Sequence, residues 1–433
     1  GVALAPILVR VLNPGRKNEE SYQLCIWLAQ LMYPCITMVS ITALVMGMLN
    51  SKRVFFIPAV ASACFNLGCI VGGVILAWLM DPGFREGEIS ERGLTGFAIG
   101  TLIGGALQLL VQLPSLHRVG FRFRPDFRWR TAGVGSVLRL MWPSVLAAGG
   151  TQVNVLLNSI FASFTPGKEC ATTWLAYAQR LQQLPLGLFG VAVATVTLPM
   201  LARLATEGVS PDFRATLAKG LRLVLFLTLP CAVGLSLLAR ETISVIFEHG
   251  KFTAYDTAMT AGPLRAYAFG LVFYAGVKVL QPAFFTIDKR FVPLIITVFT
   301  ITSNVVLNSI FVFVMKWDHT ALAWSTAFNL AVNFSVLYWW MGRLADGLET
   351  RLLLASLGRL AVALVVMAGI CVVARLSILS AWEDLRLLAR VGGLLGTVVV
   401  AAMAYFFLTA KLGVEETKEF LTIVSKRFGG RKA

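Results

Sequence analysis

The sequence predicts an all-α protein that crosses a membrane many times, and two observations support this fold class. First, 57% of the 433 residues are hydrophobic and 14% are charged, whereas about a quarter of the residues in soluble globular domains are charged. Second, apolar stretches of about 20 residues, the length that a helix needs to cross a bilayer, recur along the chain. The mean hydropathy of +0.76 agrees with both observations. A polytopic membrane protein is therefore predicted.

Eleven complete spans and one partial span are predicted. The chain begins with GVALAPILVRVLNPG, which resembles the last turns of a membrane-spanning helix, so we expect an N-terminal truncation. The complete spans are predicted at Gln23–Leu49, Val54–Met80, Gly93–Leu113, Ser136–Phe164, Thr172–Leu204, Gly220–Phe247, Thr257–Ile287, Phe291–Met315, Thr320–Leu344, Ala355–Ser380 and Arg386–Leu412. Each has the length and hydrophobicity of a transmembrane helix.

Basic residues between the spans predict the orientation. The connections on one side carry most of the Lys and Arg residues, and the chain ends in a basic tail, so we place that side and the C-terminus in the cytoplasm. These flanking residues explain the net charge of +16 without a nucleic-acid partner. The loop motif GFRFRPDFRWR alternates Arg with aromatic residues. We favour an interfacial, lipid-facing strap over a nucleic-acid-binding stripe, because both residue types prefer headgroup depth.

An internal repeat predicts how the spans are grouped. The segment KRVFFIPAV, with Asn66 further along, recurs as DKRFVPLII, with Asn304 further along. Each copy has a basic turn, aromatic residues, a proline near the start of a span and an asparagine within it. About six spans separate the copies, which predicts two parallel six-helix lobes of the kind found in transporters. The first lobe would then lack its first two spans and most of its third.

The predicted spans contain basic residues but no acidic ones. The 22 Asp and Glu residues fall in predicted loops or at helix ends, whereas Arg180, Arg265 and Lys278 lie within spans. A charged side chain at the bilayer centre costs about 2.5–3.5 kcal/mol on insertion scales, and it is therefore a candidate for function. Arg265 is near the outer end of its span and is expected to snorkel to the surface. The positive interior favours transport of an anion.

Arg180 is the strongest candidate for binding that anion. Pro185, Gly187 and Gly190 follow it and are expected to break or bend the helix, so that freed backbone lines a cavity or neighbouring protein. A guanidinium donates hydrogen bonds in a planar fork, which suits a phosphate. The alternatives are snorkelling to the outer headgroups or stacking on Tyr177.

Other polar residues within the spans are weaker candidates. Lys278 could bind the anion, or it could pair with carbonyl groups freed by Pro282. Gln179 and Gln183 share a helix face, and Asn158 lies on the preceding span, so these three are also candidates for substrate binding. Residues of this kind often only join helices, which is the alternative for each.

Asn304 and Asn308, four residues apart on one helix face, form a candidate cation site. Their side-chain oxygens could bind a small cation, but no carboxylate accompanies them, and packing is the alternative. No bound metal or other cofactor is expected. The seven cysteines form no CxxC pair, and six lie in apolar stretches, where free thiols behave as small hydrophobic groups.

A secondary transporter, an integral-membrane enzyme and a non-transporting scaffold would each require different sequence features. The sequence lacks a G-x-S-x-G, an HExxH and a Walker motif, and it has no paired carboxylates within a span. An integral-membrane glycosyltransferase or ligase would need acidic or metal-binding residues at the membrane face, and a scaffold would not explain Arg180. We therefore predict a transporter that is not an enzyme. Without an ATP-binding loop it would use the membrane potential or a Na⁺ or H⁺ gradient.

Several segments resemble one known family. The run QRLQQLPLGLFGVAVATVTLPMLARLA is similar to the signature of the MurJ (MviN) lipid II flippases, in the multidrug/oligosaccharidyl-lipid/polysaccharide exporter superfamily. LNSKRVFFIPAVASACFNL, GGALQLLVQLPSL, NSIFASF, IFEHGKFTAYDT and KVLQPAFFTIDKRFVPL agree in order along the chain. The resemblance implies two six-helix lobes around a central cavity and a C-terminal helix pair that forms a groove for the lipid tail. The implied ranges are 1–116 for the first lobe, 133–344 for the second, 355–412 for the helix pair and 413–433 for a basic cytoplasmic tail.

The resemblance also implies a substrate and a location. The substrate would be lipid II, an undecaprenyl-pyrophosphate-linked muropeptide, carried across the bacterial cytoplasmic (inner) membrane by alternating access, with cell-wall synthesis proteins as candidate partners. Arg180 matches the family's essential cavity arginine. Some relatives have an acidic residue where this sequence has Gln179 or Gln183, and the acidic ligand of a family sodium site is not evident near Asn304 and Asn308. A flippase for another undecaprenyl-linked glycan, such as an O-antigen or capsule unit, is the alternative.

Overall fold

A computed structural model describes residues 2–12, 14, 19–52, 54–121, 135, 149, 152–165, 170–377, 382 and 387–418. The regular elements in these ranges are all helices, and ten of them are long and apolar enough to cross a membrane. The predicted fold class, an all-α polytopic membrane protein, is confirmed. The chain divides into two compact units, Gly1–Arg139 and Leu140–Ala433.

The described residues of the first unit form a short helix and three long ones. These are α1 (Ala5–Leu12), α2 (Glu19–Ser51), α3 (Phe56–Met80) and α4 (Glu91–Arg118). Helix α4 packs against both α2 and α3. Glycines allow α3 and α4 to approach closely, because a Cβ atom on Gly100 would lie 2.3 Å from the backbone nitrogen of Gly73.

The second unit is built around one central helix. Its described helices are α5 (152–163), α6 (Ala171–Leu204), α7 (Pro211–Leu237), α8 (Ala239–Phe247), α9 (Ala254–Thr286), α10 (Phe291–Val314), α11 (Thr320–Leu344), α12 (Thr350–Leu376) and α13 (Leu387–Lys411). Helix α9 contacts α6, α7, α8 and α11. It is also the most enclosed long helix, with 56% of its most apolar stretch buried.

Helix α6 passes through Pro185 without a break. The backbone widens into a π-helical stretch from Leu186 to Val191 and then returns to α-helix at Ala192. The wider turn accommodates the proline, whose ring and missing N–H disfavour regular α-helix. The helix expected to break or bend at this point does not break: it continues with a local change of pitch. Similar π-helical stretches occur at Gly68–Gly72 in α3 and at Ile310–Val314 in α10.

The prediction of one continuous span over Gly220–Phe247 was wrong. The structure ends α7 at Leu237, gives Leu238 a non-helical ψ of 26°, and begins the short helix α8 at Ala239. Glu241 in the first turn of α8 is 5% exposed, and its carboxylate lies 3.0 Å from Arg375 on α12. Glu241 therefore lies at a helix end, as expected for the acidic residues, and its buried ion pair is a feature that the sequence did not indicate.

Other predicted segments lie largely outside the described residues. Most of the span predicted at Ser136–Phe164 lies outside the described residues, and helix 152–163 is its described part. The arginines of the basic loop motif GFRFRPDFRWR and the basic tail after Lys418 also lie outside them, so their placement stays a prediction.

Candidate functional site

A polar pocket lies inside the second unit, between α5, α6, α9, α10 and α11. Its volume is about 110 Å³. The lining residues are mostly amides and hydroxyls with a few aliphatic side chains: Asn154, Val155, Asn158, Gln179, Gln182, Tyr267, Tyr274, Val277, Lys278, Gln281, Thr297, Thr300, Ile301, Thr326, Asn329, Leu330 and Asn333. Hydrogen-bonding groups converge on this pocket among apolar helices, which makes it the candidate binding site of the second unit.

Lys278 is the charged residue of this pocket. Its side chain is half-buried on α9, and Nζ lies 5.1 Å from the centre of the Tyr274 ring. This distance is that of a cation–π contact. In the described part of the chain, Lys278 makes no ion pair with a carboxylate, and Nζ donates no hydrogen bond to a main-chain carbonyl. The alternative that Lys278 pairs with carbonyls near Pro282 therefore gains no support.

Asparagines join three helices at one side of the pocket. Asn308 on α10 donates to the Oδ1 atoms of Asn158 at 2.8 Å and of Asn304 at 3.0 Å. Asn158 on α5 donates to Thr326 at 2.9 Å, and Asn304 donates to Ser325 at 3.0 Å. Asn304 and Asn308 are fully buried. Because buried amides are costly unless they are hydrogen-bonded, this network holds α5, α10 and α11 in register.

The same network offers few free ligands to a cation. The Oδ1 atoms of Asn158 and Asn304 already accept hydrogen bonds, and the Oδ1 atom of Asn308 is buried without a partner. Among the described residues no group of three or more His, Cys, Asp or Glu could hold a metal ion. A neutral amide set of this kind fits Na⁺ weakly, because tight sites for hard cations use carboxylates as well as carbonyl oxygens.

The three glutamines around Arg180 face different surroundings. Gln179 lines the pocket, whereas Gln183 is exposed and does not. Gln182, which the sequence analysis did not select, is 4% exposed and donates from Nε2 to the backbone oxygen of Tyr267 at 2.7 Å. A spacing of four residues therefore does not identify the pocket face, because packing against α9 decides which side of α6 is enclosed.

Arg180 lies next to the pocket but does not line it. Its side chain is exposed on the second unit, and its guanidinium carbon lies 5.7 Å from the centre of the Tyr177 ring. Tyr177 is held in turn by Phe247 and Phe252, with ring centres at 4.6 and 5.6 Å. The stacking contact considered from the sequence is present. It leaves the hydrogen-bonding edge of the guanidinium available to a ligand.

Gln281, Asn329 and Asn333 are pocket residues that the sequence analysis missed. Gln281 follows Lys278 by three residues on α9, and Asn329 and Asn333 are four residues apart on α11. Residues three or four apart share a helix face, so extending the search from Lys278 along its own helix would have found Gln281. Nothing in the sequence indicated that α11 faces α9 at this level.

Sequence comparison places the chain in one family along most of its length. The profile described as lipid II flippase MurJ matches residues 1–392. A relative from Vibrio cholerae serotype O1, named probable lipid II flippase MurJ, is 31% identical over 402 residues. The matched region includes 92% of this chain and 73% of the relative.

Solved structures agree on the fold. A structure of lipid II flippase MurJ in an inward closed conformation has a TM-score of 0.76 at 22% identity, and the match covers 95% of this chain and 79% of that one. An inward-facing multidrug resistance MATE family transporter of the MOP superfamily has a TM-score of 0.61 at 18% identity, with 80% of this chain and 77% of that one covered. From the profile match, the relative and this shared fold, we conclude that the chain belongs to the MurJ lipid II flippase family.

Proposed function

We propose that this chain moves lipid II from the cytoplasmic to the outer leaflet of the bacterial cytoplasmic membrane. Family membership supports the substrate. The observation that carries the proposal is the charge of the candidate site: the described lining of the pocket includes an ammonium and no carboxylate, and an exposed guanidinium lies beside it. Such a site attracts an anionic headgroup and offers no carboxylate to a cation.

Arg180 binds the pyrophosphate in this proposal. A guanidinium donates several hydrogen bonds from one plane and can engage two phosphate oxygens at once. Its contact with Tyr177 limits the orientations of the side chain, so less conformational entropy is lost on binding. Lys278, Gln179 and Asn158 form the adjacent polar surface, and Gln183 lies on the exposed face of the same helix.

Transport by alternating access needs no catalytic group. The protein would act as a transporter rather than an enzyme, with its C-terminus in the cytoplasm and with cell-wall synthesis proteins as partners. The membrane potential is the proposed energy source, since moving a charge through 100 mV corresponds to about 2.3 kcal/mol. Coupling to Na⁺ at Asn304 and Asn308 is a weaker proposal, because their carbonyl oxygens are largely engaged in hydrogen bonds.

Replacing Arg180 tests the proposal. In the full-length gene we expect Arg180→Ala to abolish rescue of a strain depleted of its lipid II flippase and to lower headgroup affinity about tenfold or more, as for a lost charge-assisted hydrogen bond. Arg180→Lys should restore little, because an ammonium cannot form the planar fork. Rescue would be measured by growth and by the amount of lipid II exposed in the outer leaflet.

Arg265→Ala is the matched control. Arg265 is also an exposed arginine within a long helix of the second unit, and it does not line the pocket. Its replacement should leave rescue unchanged. Normal growth with Arg180→Ala would refute the role of that residue, and accumulation of an O-antigen or capsule unit instead of lipid II on depletion would refute the substrate.

A further inference from the structure

Lys278 carries an ammonium group and Arg180 carries a guanidinium group, and the two side chains differ in their exposure. Arg180 is exposed, whereas Lys278 is half-buried and lies within the pocket. Gln179 lines the pocket together with Lys278 and directly precedes Arg180 on α6. Because Lys278 has no anionic partner among the described residues, a bound anion would offset the cost of removing its ammonium from water.

The lining of the pocket suits a sugar or a peptide better than a phosphate cluster. Amide and hydroxyl groups, which both donate and accept, dominate the lining. The Oδ1 atom of Asn329 is buried, in a residue that is 3% exposed, and has no hydrogen-bond partner. An unpartnered acceptor at the pocket wall needs a donor from a ligand, and a phosphate oxygen is only an acceptor.

The single ammonium of Lys278 also matches a ligand group that carries one negative charge. A pyrophosphate carries more than one negative charge, and a guanidinium binds it in a fork that Lys278 cannot form. A carboxylate carries one charge and can pair with a compact ammonium. A peptide that is linked through its amino end finishes in a carboxylate, and its amide N–H groups are donors for an oxygen such as Asn329 Oδ1.

We propose that the pocket around Lys278 binds the carboxylate end of the substrate's peptide, with the Lys278 ammonium pairing with that carboxylate, while the rest of the glycopeptide lies outside the pocket. Arg180 binds the pyrophosphate at the same time, so that two cations recognise two ends of one headgroup. Gln281, Asn329 and Asn333 become specificity-determining residues that bind the peptide amides next to that carboxylate. This inference rests on the proposed function and identifies the part of the substrate that the second unit recognises.

Binding of a headgroup fragment without pyrophosphate tests the proposal. The probes are a soluble muramyl pentapeptide and the same compound with its carboxylates converted to amides, titrated by calorimetry into the purified full-length protein in nanodiscs. Wild type should bind the acid form about tenfold more tightly than the amide form, the difference expected for one partly buried ion pair. Lys278→Met, which keeps the length and apolar character of the side chain, should remove this preference. Lys278→Arg should keep part of it.

Measuring lipid II binding to the same protein samples distinguishes a failure of the role of Lys278 from a failure of the proposed function. If wild type binds lipid II but does not distinguish the acid from the amide form, or if Lys278→Met weakens both forms equally, the role of Lys278 is refuted while the proposed function stands. If wild type binds neither lipid II nor the muropeptide, the proposed function itself fails. Arg180→Ala should weaken lipid II binding and keep the preference for the acid form. A loss of that preference would contradict separate recognition by the two cations.

Discussion

At the scale of single residues, Asp81 organises the turn between α3 and α4. Its side chain, 2% exposed, accepts hydrogen bonds from the backbone N–H groups of Gly83 at 3.1 Å and Ser90 at 2.8 Å. The Ser90 N–H lowers the pKa of this carboxyl most, partial desolvation opposes the change, and other N–H donors add to the lowering. Gly93 leaves room for the carboxylate, since a Cβ atom there would lie 2.6 Å from Asp81 Oδ2.

The lowered pKa predicts a dependence of stability on pH. A carboxyl whose pKa falls on folding stabilises the fold above its unfolded pKa, about 3.9, and this contribution is lost as pH falls through the folded value. We expect Asp81→Asn to lower the unfolding temperature at pH 7, and the difference from wild type to shrink below pH 4. Thermal unfolding in detergent checks this. Glu86→Gln, an exposed acid in the same turn, should change little, and equal effects of both variants would contradict the prediction.

At the scale of helices, the contact between α3 and α4 depends on glycine. A Cβ atom on Gly100 would lie 2.3 and 2.4 Å from the backbone N and Cα atoms of Gly73, and one on Gly96 would lie 2.6 Å from the backbone N of Ala77. Backbone atoms of a packed helix cannot move aside locally as a side chain can. The helices would have to separate, and the van der Waals contacts that hold them together in a membrane would be lost.

Gly100→Ala should therefore destabilise the first unit by about 1–3 kcal/mol, the usual cost of overpacking. Gly47→Ala on α2 is the control, because a Cβ atom there meets no atom within 4 Å. Its effect should stay within about 0.5 kcal/mol. Thermal unfolding of both variants in one detergent measures the difference. A Gly100→Ala protein as stable as wild type would show that the two helices are not tightly packed.

At the scale of the second unit as a whole, ion pairs fasten the last two helices to the rest. Arg222 on α7 lies 2.8 Å from Glu416, just beyond α13. Beyond the other end of α7, Glu241 pairs with Arg375 at 3.0 Å and Glu248 pairs with Arg390 at 3.4 Å. Between them, the hydroxyl of Tyr405 donates to the backbone oxygen of Phe226 at 2.8 Å. Because these contacts lie at both ends and in the middle, we expect α12 and α13 to move together with α7 and α8.

Breaking one of these contacts should loosen the helix pair. Arg222→Met leaves Glu416, which is 4% exposed, without its closest partner, and we expect a loss of about 3 kcal/mol of stability. Arg290→Met removes an exposed pair with Asp288 and should cost about 1 kcal/mol or less. In a background with Cys371 as the single cysteine, which is 1% exposed on α12, the Arg222 variant should react faster with a membrane-permeant thiol reagent. Unchanged labelling would contradict the coupling.

The sequence by itself determined the fold class and most of the helix positions. Thr320–Leu344 was predicted with the observed bounds, and the other long described helices agree to within a few residues, except at Gly220–Phe247. Burial in a bilayer imposes one requirement on a whole segment, namely about 20 consecutive apolar residues, and this can be detected without knowing any neighbour. The family resemblance and the cationic residues within the spans could also be identified from the order of the residues alone.

The tertiary structure decided which side chains share a site. It placed Lys278 and Gln179 in one pocket, Gln182 in place of Gln183 on the enclosed face, and Glu241 against Arg375, although 134 positions separate this last pair. Partners far apart in sequence meet only when helices from different parts of the chain pack together. A π-helical stretch or a one-residue break between helices then rotates every later side chain, so helical spacing alone cannot identify the face that becomes buried.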